Sequence, residues 1–199
     1  MDGSAGSMRC WNRSVVRVEE RVEYPDDEGS VRAFRSGDPR AFEELARTYR
    51  SRIYGICYRY TGNRADAEDL VQEVLLRVYR GLESFRGEAS FRTWLYRIAV
   101  NACLNWVASA RRRSVGLSAE IPDPRPSVVE RLVKGQAAEL VRRAVAELPD
   151  RQRMTVLLRV YEELSHKEIS EVMGCPVGTV KANFFFALKN LKKRLREER

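Results

Sequence analysis

The sequence predicts an all-α protein of two small helical domains, the first with three to four helices and the second a helix-turn-helix, joined by a proline-containing linker. Three observations predict it. From about residue 39 to residue 113, apolar residues recur near the 3.6-residue spacing in three successive runs. Pro122, Pro124 and Pro126 then interrupt the pattern at a density that stops helices and stiffens a linker. Beyond residue 128 the periodicity resumes and closes in a short helix, a glycine turn and a long basic helix. The expected divisions are a mobile tail over 1–30, a first domain over 31–113, a linker over 114–129 and a second domain over 130–199.

Each element follows from its local residues. Residues 1–30 are acidic and aperiodic, broken at Pro25-Asp26-Asp27, with at most a short strand near Val15–Val22. The first long helix begins at Pro39, which suits a first turn, and buries Phe42, Leu45, Ala46, Tyr49, Ile53, Ile56 and Tyr60. Gly62 ends it in the left-handed conformation, and Asn63 caps the next helix. That second helix carries one apolar stripe of Ala67, Leu70, Val71, Val74, Leu75 and Val78, and Gly81 closes it. Residues 82–90 form a loop. A third helix places Phe91, Trp94, Leu95, Ile98, Ala102 and Trp106 on one face and runs into Arg111-Arg112-Arg113. Three such helices can enclose one core.

In the second domain, Leu148-Pro149-Asp150 separates a helix carrying Leu140, Val141, Ala144 and Val145 from another over about 150–161. Ser165 and Glu168 stand at capping-box spacing. A helix over 165–173 then meets the Gly174-Cys175-Pro176 turn. The last helix starts at Pro176 and buries Val180, Phe184, Ala187, Leu188, Leu191 and Leu195.

Charge narrows the partners. The 199 residues carry a net charge of +8. Residues 31–113 hold 16 Arg against 9 acids, and residues 114–199 hold 16 Lys or Arg against 12 acids, whereas residues 1–30 are net acidic. A basic balance favours polyanions. The four cysteines, Cys10, Cys57, Cys103 and Cys175, are scattered, and His166 is the single histidine. This is no metal-site or disulfide inventory; Cys57 and Cys103 read as small apolar core residues in a reducing cytoplasm. The longest uncharged stretch, Ile98–Ala110, has 13 residues, short of the roughly 20 that span a bilayer, and the N-terminus has no signal-peptide run. No phosphate-binding loop, metal cluster or nucleophile–base pair is present, so no catalytic residue and no cofactor is expected.

Three segments carry functional chemistry. The last helix holds seven Lys or Arg from Lys181 onward against two Glu, a charge suited to the major groove. Its groove-facing candidates are Thr179, Lys181, Ala182, Asn183, Phe185, Phe186 and Lys189. The stretch Asp66-Ala67-Glu68-Asp69-Leu70-Val71-Gln72-Glu73 gathers acids in a first turn, where they complement the helix dipole or dock a basic partner. The stretch Phe85-Arg86-Gly87-Glu88-Ala89-Ser90-Phe91-Arg92-Thr93-Trp94 interleaves aromatics with arginines, as stacking of unpaired bases requires. Within it, Phe91 and Trp94 read as core, and Phe85 and Arg86 as nucleic-acid contacts. His166 reads as a residue of the helix-cap region.

Together these segments resemble a known family. DAEDLVQEVLLRV (Asp66–Val78) looks like the polymerase-binding helix of extracytoplasmic-function sigma factors, group IV of the sigma-70 family of RNA polymerase sigma factors. FRGEASFRTWLYRIAVNACLNW (Phe85–Trp106) resembles their promoter-melting and minus-ten-reading segment, and Leu148–Leu195 their minus-thirty-five-reading domain. The likeness covers about 31–113 (sigma domain 2) and 130–197 (sigma domain 4). It implies that Asp66, Asp69, Leu70, Gln72, Glu73 and Leu76 contact core polymerase. It implies that Ser84, Phe85 and Arg86 capture flipped non-template bases, and that Arg92, Arg97, Asn101, Arg111, Arg112 and Arg113 line the minus-ten DNA. Ser165 and the groove-facing candidates of the last helix would read the minus-thirty-five element. The linker would tie two weak DNA contacts into one high effective concentration.

The family further implies core RNA polymerase, promoter DNA and a separate anti-sigma factor as partners, with no membrane insertion of the chain itself. The chain departs from the family in three places. Phe186 stands where a polar residue is usual, Asn105 where an acid is common, and the tail is longer than usual, with Met8 a second candidate start. A helix-turn-helix regulator that does not bind polymerase is the alternative reading, but it leaves 31–113 without a task. A nucleic-acid-processing enzyme would need clustered acids or histidines beside the basic helices, which the sequence lacks.

Overall fold

The computed structural model describes residues 27–114 and 136–197. All elements among them are α-helices: α1 (Asp27–Arg35), α2 (Pro39–Thr61), α3 (Arg64–Leu82), α4 (Phe91–Ser114), α5 (Gln136–Ala146), α6 (Asp150–Val160), α7 (His166–Met173) and α8 (Val177–Glu197). The strand expected near 15–22, the linker beyond Ser114 and the start of the second domain at 130 lie outside the described residues.

Helix α1 corrects one expectation. Residues 27–30, read from sequence as part of the tail, are its first turn. Asp27 and Glu28 stand at its N-terminus and Arg32 and Arg35 in its last turn, matching the helix dipole at both ends. Buried Val31 and a hydrogen bond from the Tyr49 hydroxyl to Asp27 dock it on α2. The segment is too short for its one buried valine to mark a period.

Helices α2, α3 and α4 form the first core. Asp38 caps α2 by accepting from the Arg40 amide at 3.0 Å, with Pro39 in the first turn. Gly62, at φ 74°, ends it and donates to the Tyr58 carbonyl. The Asn63 side chain then accepts from the Ala65 and Asp66 amides at 2.8 and 3.3 Å and starts α3. Leu45, Ile53, Ile56, Val71, Val74, Val78, Leu95 and Val100 fill the interior. Cys57 and Cys103 are free and fully buried, their sulfurs 3.8 Å apart. Contact with Cys57 and burial push the Cys103 thiol well up, which leaves it unreactive.

Gly81 does not close α3, which runs on to Leu82. Its role is a seat: a Cβ there would lie 2.9 Å from Cζ2 of Trp94.

Helices α5 to α8 form the second core around Met154, Leu157, Leu158, Ile169, Val172, Val180, Ala187 and Leu191. Helix α7 opens on a complete capping box: the Ser165 hydroxyl accepts from the Glu168 amide at 3.2 Å, and Glu168 accepts from the Ser165 amide at 2.7 Å. Gly174 ends it at φ 60°, and Ser170 locks the turn by donating to the Cys175 carbonyl at 2.6 Å. The last helix is first helical at Val177, one residue past Pro176.

The two units pack against each other. Helix α4 lies along α7, and α2 meets α6. Their buried residues belong to one continuous cluster.

Candidate nucleic-acid and docking surfaces

The outer side of α3 is acidic toward its N-terminal half and mixes Leu76 and Tyr79 with Arg77 and Arg80 toward its C-terminal end. Asp66, Asp69, Glu73 and Leu76 step by three, four and three residues along one face. Asp69, Gln72 and Glu73 are exposed and Asp66 is half-exposed, while Glu73 holds Arg77 one turn on. Leu76 is 48% exposed and Tyr79 47%. Leu70 differs from its expected role. It is 3% exposed and belongs to the inward stripe with Ala67, Val71 and Val74, so its side chain is not offered to a partner. Sequence reasoning also missed Tyr79. It stands three residues beyond Leu76, off the inward stripe, and Phe34 and Phe42 hold it edge-on with ring centroids 5.4 and 5.0 Å away. Its spacing from Leu76 was the available signal.

The loop before α4 is built on aromatics. Phe91 is buried and Trp94 half-buried, as their core reading requires. Phe85 is half-buried, its ring 5.0 Å from Trp94 and 6.2 Å edge-on from Phe91. It therefore pins the loop to α4 in this conformation and does not project freely from it. Ser84 is exposed, with its hydroxyl donating to the Gly81 carbonyl. Arg86 is exposed with only a distant Glu88 at 3.9 Å, and Gly87 takes φ 72° beside it.

On α4, Asn101 is exposed. Arg111, Arg112 and Arg113 fall within the helix, but their side chains lie outside the description. Arg92 and Arg97 are engaged from across the molecule. Arg92 Nη2 donates to Glu168 Oε1 at 2.6 Å. Arg97 donates twice to the Glu171 carbonyl, at 3.1 and 2.7 Å.

Beside them runs a polar seam that sequence reasoning missed. The Tyr96 hydroxyl donates to Glu162 Oε2 at 2.7 Å, and Arg52 Nη1 lies 3.7 Å from the same oxygen. Glu162 is 8% exposed. Burial raises its pKa, against the opposing pull of Tyr96, Arg52, Arg59 and Arg92. Arg153 reaches back to donate to the Arg59 carbonyl at 2.8 Å and lies over the Tyr60 ring, while Arg59 lies over Tyr161. Burial lowers the Arg153 pKa. Glu168 is pushed up by partial burial, but the Ser165 bonds and Arg92 outweigh this and hold it below the ordinary carboxylate range.

Helix α8 presents the groove-facing set. Thr179, Lys181, Ala182 and Lys189 are exposed, and Phe185 and Phe186 are 64% and 49% exposed with their rings 5.5 Å apart. Phe184 turns inward, half-buried, and meets the His166 ring at 5.8 Å. Burial, Arg159 and Lys181 all lower the His166 pKa. Asn183 is half-buried with its amide nitrogen enclosed, which sets it at the margin of the exposed face. Ser165 is exposed at the α7 cap. Among the described residues no helix is long and apolar enough to cross a membrane.

Comparison with known proteins aligns both units with one family. The model for sigma-70 region 2 matches residues 45–113, and that for sigma-70 region 4 matches residues 138–191. The chain is 33% identical over 185 residues to the ECF RNA polymerase sigma-E factor of Haemophilus influenzae, across 87% of this chain and 97% of that one. It is 32% identical over 180 residues to the RNA polymerase sigma-H factor of Pseudomonas aeruginosa, across 85% and 93%. Two solved structures share the fold. One is CnrH in complex with the cytosolic domain of CnrY (TM-score 0.62, 21% identity, 87% of this chain and 99% of that one). The other is the sigma factor RpoE with the anti-sigma factor NepR from Bartonella quintana (TM-score 0.63, 21% identity, 79% and 98%).

Proposed function

The chain belongs to the extracytoplasmic-function sigma factors of the sigma-70 family, and on that premise we propose which of its surfaces carry each step of initiation. The outer face of α3, from Asp66 through Asp69, Gln72 and Glu73 to Leu76, docks on core RNA polymerase. Its acids meet basic groups, and the exposed apolar end at Leu76 and Tyr79 supplies desolvated contact area. The Ser84–Ser90 loop, with Arg86 at its tip, captures unpaired non-template bases. Arg92, Arg97, Asn101 and the Arg111–Arg113 run hold the minus-ten phosphates. Exposed Thr179, Lys181, Ala182, Phe185, Phe186 and Lys189 on α8 enter the major groove at the minus-thirty-five element.

The observation that carries this reading is the placement of exposed Asp69, Gln72, Glu73 and Leu76 on α3, and of exposed Arg86, Arg97 and Asn101 on the loop and α4 of the same unit. The docking acids lie on the outside of α3, and the arginines and the aromatic loop lie on α4 and the turn before it. One helical unit can then hold polymerase through α3 and melted DNA through α4 and the loop before it. The roles call for binding and positioning, so the chain acts without catalytic chemistry of its own, in the cytoplasm where polymerase works. An anti-sigma factor, of the kind that accompanies the sigma factor RpoE of Bartonella quintana, is its proposed regulator.

Run-off transcription with purified core polymerase on a genomic fragment library tests the reading. Discrete start sites that appear only when this protein is added are the expected result. Retained DNA binding with no new start sites overturns it in favour of a regulator that does not use polymerase.

A further inference from the structure

At Phe186 the chain sets an exposed ring on its DNA-reading helix where a polar residue is usual. Phe185 and Phe186 are 64% and 49% exposed, and their rings meet edge-on at 5.5 Å. The core does not require either ring, since Phe184 is the one that turns inward onto His166. We propose that Phe186, buttressed by Phe185, reads thymine methyl groups in the major groove, so that this chain selects an upstream element with thymine at fixed positions by apolar contact. The proposal deepens the reading above and rests on it for the placement of α8 in the groove.

Three observations carry it. The first is helical phase. Buried Val180, Ala187 and Leu191 set the inward side of α8. Thr179, Ala182 and Phe186 succeed one another by three and then four residues on the outward side, and all three are exposed. At 1.5 Å per residue that strip is roughly 10 Å long, the height of about three stacked base pairs.

The second is chemistry. A phenyl ring has no hydrogen-bond donor, so it can neither hold a phosphate nor bond the acceptor edge of guanine. The group in the major groove that it matches is the thymine methyl, which alanine and the threonine methyl also contact. Thr179, Ala182 and Phe186 therefore form a strip of one chemical kind.

The third is charge. Exposed Lys181 and Lys189 stand along the same side, and α8 carries no acid before Glu197. Such a face draws in a polyanion. Once it is seated, the rings leave water against the methyls, a gain that the free chain lacks.

The test removes methyls and nothing else. Run-off transcription with core polymerase and the full chain on a genomic fragment library gives the start sites and the upstream element they share. That promoter is then prepared with deoxyuridine in place of each thymine of the element in turn, which keeps every hydrogen bond of the base pair. Holoenzyme binding is expected to weaken about fourfold for each methyl that is contacted. With Phe186→Ala, a surface change, at least one of these sites is expected to become indifferent to the methyl. With Phe186→Arg, the same site is expected to change its preference from thymine to guanine.

Equal binding of thymine and uracil promoters by the native holoenzyme overturns the proposal. If Phe186→Ala then fails on both promoters alike, the ring belongs to a protein partner. A uracil penalty that Phe186→Ala leaves unchanged at every site overturns the assignment to Phe186. Absence of any start site defeats the sigma reading alone. The same thymine and uracil comparison, on duplexes that the full chain selects from a random pool, then decides the methyl contact, and failure to select any duplex overturns it.

Discussion

Replacing Gly81 with alanine sets two known effects against each other. An alanine in a helix is favoured over glycine by about 0.5–1 kcal/mol, because the unfolded chain loses less freedom. The new Cβ, however, would stand 2.9 Å from Cζ2 and 3.3 Å from Cη2 of Trp94. That ring cannot retreat freely, since Phe85 and Phe91 hold it at centroid distances of 5.0 and 5.9 Å. Forcing a carbon into such a packed site costs about 1–3 kcal/mol. Gly81 also lies in the last turn of α3, where the propensity gain is smallest. The clash therefore wins, with a net loss of about 1 kcal/mol and a fall of about 2–4 °C in the unfolding midpoint of a chain this size. Thermal denaturation followed by circular dichroism measures it. In a Trp94→Leu background the obstacle is gone, and Gly81→Ala should become stabilising by about 0.5 kcal/mol. A higher midpoint for Gly81→Ala in the otherwise native chain would refute the reasoning.

Three further outcomes are expected. Leu70→Ala should cost about 2–5 kcal/mol of stability as a core truncation, whereas Asp69→Ala with Leu76→Ala should leave the melting midpoint nearly unchanged and weaken core-polymerase binding roughly tenfold in a co-sedimentation titration. Lys181→Ala should weaken binding to duplex DNA and lower the slope of log affinity against log salt by about 0.9, read by anisotropy across a salt series. Stability should gain from Glu162 as pH falls toward the ordinary carboxylate range, because burial raises its pKa in the folded chain against the pull of Tyr96, Arg52, Arg59 and Arg92, and Glu162→Gln should flatten that part of a thermal-denaturation pH series. The stability lent by Glu168, whose pKa is lowered, is present above the ordinary carboxylate range and is lost as pH falls below it, in the same pH series.

The helices and their caps were legible because their causes are local. Asn63 and Ser165 announce their helices by side-chain type and spacing, and the structure places both in caps. The inward stripe of α3 follows from period alone. That same stripe shows why family likeness misassigned Leu70: the likeness transfers a segment, and only the helical phase decides which of its residues face out. Helix α1 was illegible because a nine-residue helix with one buried valine has no period to read. Phe85 was read as a nucleic-acid contact because it lies in the loop, where helical periodicity gives no sign that its ring folds back onto Phe91 and Trp94 of α4.

The seam between the units was illegible for a different reason. Tyr96, Arg52, Glu162 and Arg153 are polar groups paired across long stretches of chain, so neither unit's hydrophobic pattern registers them. The seam is not polar throughout, since the buried residues of both units form one continuous cluster. Its charged pairs gain little net energy, because each charge must be stripped of water before it is paired. They fix instead which positions meet: Glu162 is satisfied only between Tyr96 and Arg52, and Glu168 lies on Arg92 at 2.6 Å.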